Sequence, residues 1–596
     1  MSVRFSHAMP FGARMSDAGV CFRLWAPDAQ NVTLMLEGTN ERRLPMEPRP
    51  GGWFELTSDA ARAGSRYRYA LADGTRVPDP ASRFQPDDVH GPSEVVDPAA
   101  FAWTVEDWPG RPWHEAVCYE THPGAFTPAG GHDGALEKLD RLCALGVTAL
   151  ELMPLSDFAG RCNWGYDGVL PFAPAASYGR PEDLKRLIDA AHARGLMVLL
   201  DVVYNHFGPS GNYLARYASG FFTGRYRTPW GEAIDFGRRE VRDFFIHNAL
   251  YWLEEYRFDG LRLDAVDQIH DPGPTHILDE LAATVGEKIT DRHVHLVLEN
   301  DDNVADYLER DAGNRPCLYT AQWNDDFHHA AQLIATGEKD GYYADYAQNP
   351  VGALGRALAE GFVYQGEYSG FRDRPRGEPS GHLPPTAFVN FLQNHDQIGN
   401  RACGERLHML ATAARLRALY ALLLLSPGVP LLFMGEEWAA SAPFLFFCDF
   451  DRELNRAVRD GRRAEFKGFA AFAGEKARQS IPDPALADTF SRSRLDWEES
   501  AAPPHAEWLA FITRLIALRR KELVPLLERM HSGQAGLLGE RALAVAWPFA
   551  EGKYWRIAAN FGDTSVATMP RPGRIVHGGE AGGVLAPWSA QVTVDE

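Results

Sequence analysis

The chain has 596 residues, 45% of them hydrophobic, and 80 acidic against 60 basic side chains give it a formal charge of −20. That length exceeds one ordinary core and predicts a large domain with smaller flanking ones, while the acidic excess excludes a nucleic-acid backbone or an anionic membrane surface as partner unless basic residues are concentrated locally. The longest apolar run, Leu416 to Leu425, is broken by Arg417 and is too short to span a bilayer. Residues 1–17 lack the apolar stretch of a secretion signal. Seven cysteines, at 21, 118, 143, 162, 317, 403 and 448, are odd in number, scattered and without a C-x-x-C pair, which argues against a disulfide framework or a zinc site and predicts a reducing, cytoplasmic setting.

From the N-terminus, Val20, Phe22 and Leu24, then Val32, Leu34 and Leu36, alternate with a period of two around Ala26-Pro27-Asp28, predicting a hairpin. Further strand-like runs at 53–56 and 67–69 and a Pro-rich stretch from Pro78 to Pro98 predict a small β-sandwich over residues 1–105. Its plain role is packing; contact with carbohydrate is the alternative.

From Ala116 the pattern becomes short apolar runs alternating with helical stretches, as in repeated βα units around a parallel sheet. Eight strands are predicted, at 117–120, 149–153, 197–202, 260–265, 296–299, 318–322, 387–392 and 430–434. Pro181-Glu182-Asp183 opens a helix with acids in its first turn, and Val241, Phe244, Phe245, Asn248 and Trp252 recur at helical spacing. Eight such units predict a closed (β/α)8 barrel, a TIM barrel of the α/β class, over residues 106–525. A doubly wound open sheet would carry a Gly-rich turn after its first strand, where this chain has Tyr119-Glu120-Thr121-His122-Pro123. An amphipathic helix at 508–523 is followed by alternating runs at 542–547 and 554–559, predicting a C-terminal β-domain over residues 526–596.

Chemistry in such a barrel sits at the C-terminal ends of the strands, and four ends are rich in polar groups: Asp201 to His206, Arg262 to Asp267, Glu299 to Asp301, and Asn394 to Asp396. Any one of these acids alone reads as a salt bridge or a helix cap; four clusters on one barrel rim read as a site. Arg262 and Asp264, two apart on a strand, face the same side, and a cation there predicts an ionised Asp264. Glu299, behind Leu296-Val297-Leu298, is placed where burial raises its pKa and fits it to donate a proton. Carboxyls on neighbouring strand ends can approach to about 5–5.5 Å, the spacing of a retaining glycosidase.

DVVYNH (201–206), GLRLDAV (260–266), LVLEND (296–301) and FLQNHD (391–396) resemble, in that order, the four signature regions of the α-amylase family of glycoside hydrolases. The resemblance spans the barrel. It implies Asp264 as nucleophile, Glu299 as general acid/base and Asp396 as the acid that grips sugar hydroxyls and favours the distorted transition state. It further implies that Arg262, His206 and His395 line the subsite left of the cut, with Tyr166 stacked under the sugar ring and Asp201 orienting Arg262. Stacking and carboxylates suit a sugar that develops positive charge.

Within that family, residues 323–329, 396–401 and 205–214 resemble the malto-oligosyltrehalose trehalohydrolase subfamily, as does the N-terminal β-domain. This implies a malto-oligosaccharide substrate capped by trehalose, cut at the α-1,4 bond beside the terminal trehalose. Trp323, Asp325, Asp326 and His328 are then expected on the aglycone side, and Asp267, Gln397, Asn400 and Arg401 complete the expected substrate-binding set. Branching enzymes are the runner-up, sharing a segment like Thr228 to Phe236, but they carry an acid where this chain has Gln397. Asn205 matches a position that helps bind calcium in secreted α-amylases, yet residues 207–240 are poor in clustered acids and cannot supply about six to eight oxygen ligands. No metal or other cofactor is expected.

Overall fold

The computed structural model describes residues 5–468, 472–568, 573–579 and 583–595. Eight parallel strands close into a barrel: β1 (Cys118–Thr121), β2 (Ala149–Leu152), β3 (Met197–Val202), β4 (Gly260–Leu263), β5 (His295–Leu298), β6 (Ala321–Trp323), β7 (Phe388–Asn390) and β8 (Val429–Phe433), with β8 pairing back onto β1. Each coincides with one of the eight predicted runs, and β3 has the predicted bounds.

The strands are buried on both faces, which is why they read as continuous apolar runs rather than alternating ones. Cys118, Met197, Leu199, Val297, Trp323, Val389, Phe391 and Leu431 pack into one apolar cluster. Gly260 begins β4 where a Cβ would stand 2.3 Å from the carbonyl oxygen of His295, so only glycine lets β4 and β5 pair this closely. Among the crossovers, Pro181–His192 has Glu182 and Asp183 in its first turn, and Arg239–Glu254 buries the Val241 to Trp252 set as its spacing foretold.

The N-terminal unit is a two-sheet sandwich, but the expected hairpin is not there. Strand Gly19–Trp25 pairs with Gly12–Ser16 and Trp53–Ser58, whereas Val32–Leu36 pairs with Arg42–Pro45 and Arg66–Leu71 in the facing sheet. The period of two specified correctly that Phe22, Leu24, Leu34 and Leu36 point into the core. It carries no information on which strand is the partner, and the Ala26-Pro27-Asp28 link crosses between sheets. Phe11 of the sandwich meets Phe244 of the barrel edge to face, with 5.4 Å between ring centroids.

After the barrel, helix His505–Leu518 runs into a π-helical turn, Arg519–Leu523. A five-stranded antiparallel sheet follows, with Ala542–Ala550 and Lys553–Asn560 at its centre. It is tied to the barrel through the indoles of Trp547 and Trp555, which donate to the carbonyls of Leu358 and Leu425 at 3.1 and 2.9 Å. No helix among the described residues is long and apolar enough to cross a membrane, and all seven cysteines are unpaired.

Candidate active site

Arg262, wholly buried in β4, organises the floor of the cleft at the C-terminal end of the barrel. Its Nη1 donates to Asp201 Oδ2 at 2.7 Å and to Asp264 Oδ1 at 2.9 Å, its Nη2 stands 2.8 Å from Glu299 Oε2, and its guanidinium lies 4.1 Å over the Trp323 ring. Three carboxyls therefore share one fixed cation. Asn205 donates its amide to Asp264 Oδ2 at 3.0 Å, so the residue that matched a calcium position is engaged with the carboxylate beside it. Tyr166 donates to Asp201 Oδ2 at 2.7 Å and stacks on His395, 5.0 Å away and 20° from parallel.

Glu299 is held by the backbone: the amide of Ala265 donates to its Oε2 at 2.9 Å, and Ala265 takes the left-handed conformation, φ +38°, that turns this amide inward. Asp396 sits in the first turn of helix His395–Gly399, where the Asn394 side chain accepts from its amide and Asn400 donates to its Oδ1 at 3.2 Å. His395 Nδ1 lies 2.5 Å from Glu120 Oε1.

Burial lifts the Glu299 carboxyl to about 8 against the pull of Arg262, with Asp264 and Asp396 adding to the rise. Burial also raises Asp264, opposed first by Arg262. The expectation that Arg262 lowers the Asp264 pKa is thus corrected in its net sign: desolvation outweighs the cation, and the guanidinium offsets part of the burial penalty. Two donors still point at the Asp264 oxygens, and Glu299, lifted to about 8, holds its proton near neutrality. The arrangement can present an ionised carboxylate and a carboxylic acid side by side near neutrality.

Above this floor lies a cavity of about 350 Å³, whose polar lining includes Asp267, Gln268, Glu299, Asp301, Asp325, Asp396, Gln397 and Asn400. Asp325 is raised well above the usual carboxylate range by burial beside Glu299 and Asp301, so it favours the neutral form, in which it can both donate and accept hydrogen bonds to a sugar.

Of the expected set, Asp264, Glu299, Asp396, Arg262, Asp201, Tyr166, His206 and His395 come together, and Asp267, Asp325, Gln397 and Asn400 line the cavity. The remaining four do not line it. Trp323 is the buried plate beneath Arg262. Asp326 is enclosed by Tyr346, by Arg376 Nη1 at 2.5 Å and by the amide of Val363 at 2.6 Å. His328 is fixed between the Leu392 carbonyl and the Tyr343 hydroxyl at 2.7 and 2.9 Å. Arg401 is paired with Glu338 through both Nη nitrogens, each at 2.9 Å. In helix Asp325–Thr336 adjacent residues face different ways, so Asp326 turns into the core while Asp325 and, one turn on, His329 reach the cavity.

Sequence reasoning missed Trp230. It sits at the tip of a hairpin formed by Phe222–Thr228 and Gly231–Ile234, is 47% exposed, and stacks on His206 at 4.0 Å and 9° while walling the cavity. A Thr-Pro-Trp-Gly turn inside the stretch 207–240 was the available signal. Tyr342, Arg372 and His329 also line the cavity. Among the described residues, no group of three or more His, Cys, Asp or Glu is gathered as metal ligands.

Comparison with known proteins agrees with this fold. Residues 96–249 match the alpha amylase catalytic domain, 10–87 match carbohydrate-binding module 48 (isoamylase N-terminal domain), and 530–592 match a domain of unknown function. Malto-oligosyltrehalose trehalohydrolase of Deinococcus radiodurans is 45% identical over 85% of this chain and 82% of its own length. The enzyme of that name from Saccharolobus solfataricus is 40% identical over 92% of this chain and 90% of its own. A crystal structure of a Salmonella typhimurium protein designated an alpha amylase superposes with a TM-score of 0.95 at 46% identity, covering 99% of this chain and 100% of that one. The chain belongs to the malto-oligosyltrehalose trehalohydrolase family of α-amylase-type glycoside hydrolases.

Proposed function

We propose that the protein hydrolyses the α-1,4 bond next to the terminal trehalose of a malto-oligosyltrehalose, releasing trehalose and a shortened maltodextrin with retention. The observation that carries the reading is the carboxyl pair facing the two Nη nitrogens of Arg262, with Asp264 held by two donors and Glu299 lifted to about 8. Asp264 attacks the anomeric carbon while Glu299 gives its proton to the departing glycosidic oxygen. The resulting glycosyl ester at Asp264 is then cleaved by a water that returns a proton to Glu299. Asp396 holds sugar hydroxyls, Tyr166 and His395 support the ring left of the cut with Arg262 and His206 beside it, and Asp201 orients Arg262.

On the far side of the cut, Asp267, Asp325, Gln397 and Asn400 supply polar groups to the trehalose, with Trp230 as an apolar wall. The trehalose-specific part rests on the names of the relatives at 40–45% identity. Residues 1–105, 106–525 and 526–596 act as sandwich, catalytic barrel and C-terminal sheet. A cytoplasmic setting is supported by seven cysteines of which none is paired.

Purified protein is to be incubated with maltotriosyltrehalose and, separately, with maltopentaose and amylose, with products separated by chromatography and the first anomer read by NMR. Trehalose and an α-anomeric maltodextrin, with slow attack on the uncapped glucans, are expected. Cleavage or branching of amylose without trehalose release would overturn the specificity and leave the carboxyl chemistry standing.

A further inference from the structure

Glu120, in β1, takes no part in the chemistry above, yet it is 1% exposed and directs both carboxylate oxygens at one neighbour. Its Oε2 accepts from the backbone amide of His395 at 3.0 Å, and its Oε1 lies 2.5 Å from the His395 ring Nδ1. The other ring nitrogen, Nε2, stands 3.4 Å from Asp396 Oδ1. Tyr166 covers one face of the ring and Trp164 meets it edge-on at 5.6 Å. The imidazole therefore has a carboxylate at each nitrogen, an arrangement satisfied only when both nitrogens carry hydrogen.

We propose that Glu120 is a positioning residue that holds His395 as a doubly protonated cation, locked in angle beneath the sugar-binding carboxylate Asp396. The proposal rests on the reading of Asp396 as the acid that grips the sugar. Groups bearing on the His395 ring are Glu120 and His122 from β1 and its following loop, Glu151 from β2, Tyr166 from the next loop, Asp201 from β3, Arg262 from β4, and Asp396 from its own helix. Burial favours the neutral ring and so does Arg262, but Asp396 and Glu120 overcome both and raise His395 to about 9. Glu151, in register with Glu120, is pushed well above the usual range by burial and by Glu120 itself, so it stays protonated and adds no competing charge.

Glu120→Gln keeps the shape, removes the charge, and sets an amide NH2 against one of the two His395 N–H groups. Loss of one adjacent carboxylate lowers a neighbouring cation's pKa by about 1–3 units. Glu299, at about 8, already sets the alkaline limb of kcat/KM on maltotriosyltrehalose, so a His395 that falls from about 9 to or below that value should steepen the limb and move it to lower pH, with the largest loss above neutrality and the smallest in acid. In a His395→Gln background the same substitution should displace the limb no further, since coupled residues are not additive. Glu120→Asp, which retracts the carboxylate by one methylene, should give a smaller shift in the same direction and serves if Glu120→Gln does not fold.

Wild-type enzyme that releases no trehalose counts against the specificity reading alone. The limb comparison is then made on calorimetric binding of maltotetraose across pH, with the same acidward shift expected. A uniform loss at every pH, or effects of Glu120→Gln and His395→Gln that simply add, would overturn the proposal and leave Glu120 a structural acid.

Discussion

Replacing Arg262 by Gln removes the cation on which the site is assembled while keeping most of the side chain's length. In the structure Arg262 Nη1 is 2.9 Å from Asp264 Oδ1. At a charge separation of about 4 Å and an effective dielectric near 20, the attraction is about 4 kcal/mol, which at 1.36 kcal/mol per unit is about three pKa units. Burial already raises Asp264 with the guanidinium present, so without it the carboxyl rises further and the nucleophile is less ionised at neutral pH. The ionised fraction, and kcat with it, should fall at neutral pH, by up to about a thousandfold. Glu299, also pulled down by Arg262, rises as well, so the whole bell-shaped profile moves to higher pH rather than only shrinking. Breaking a buried ion pair costs about 3–5 kcal/mol of stability, so circular dichroism and thermal melting must accompany initial rates taken across acid, neutral and alkaline buffers. A folded variant within tenfold of wild type at pH 7, or one depressed equally at every pH, would refute this account of the guanidinium.

Glu299→Gln should lower kcat by several orders of magnitude and yet stabilise the protein in alkali. The folded pKa of about 8 lies above the ordinary 4.5, so between those values the native state binds the extra proton and wild-type stability falls as pH rises. The melting-temperature gain of the variant should accordingly be larger at pH 8 than at pH 5, and an equal gain at both would count against the shift. Trp230→Ala removes an exposed plate stacked on His206. At about 0.5–1.5 kcal/mol for an aromatic contact, kcat/KM should fall up to about tenfold with an unchanged melting temperature. Asp325→Asn and Asp326→Asn should separate cleanly. The first should depress kcat/KM in a protein of normal stability; the second, which breaks the buried pair with Arg376, should cost about 3–5 kcal/mol of stability while the folded fraction keeps wild-type turnover. Exchange of those two phenotypes would reverse the assignment of cavity and core.

The barrel was legible because each strand is a short apolar run closed by a polar residue, and burial on both faces writes that pattern plainly. The carboxyl cluster was legible because strand ends and chemistry coincide in this fold. Pairing was not: alternation in Val20 to Leu36 specifies the inward face, and both strands obey it from opposite sheets. In the segment 323–329 motif similarity marks a whole stretch, whereas a helix turns successive side chains about 100° apart, so Asp325 and Asp326 reach different surroundings. Trp230 escaped because its role comes from a hairpin that folds a distant turn back over His206, and no local periodicity encodes that approach. The sign of the Asp264 shift needed the degree of burial, which a sequence does not contain.

The left-handed peptide at Ala265 links the two reacting carboxyls by a route other than the strands. Its amide donates to Glu299, its carbonyl accepts from Asn205 at 3.3 Å, and Asn205 in turn donates to Asp264. The distance between nucleophile and acid is therefore gauged by Ala265 together with Arg262, and changes confined to the outer helices leave these contacts untouched. That tolerance ends at position 265 itself. A β-branched side chain at φ +38° would strain the backbone by about 1–3 kcal/mol and pull the acid out of line, whereas glycine would fit. Directed changes meant to preserve turnover can range freely over the barrel's exterior but have almost no latitude at this one alanine.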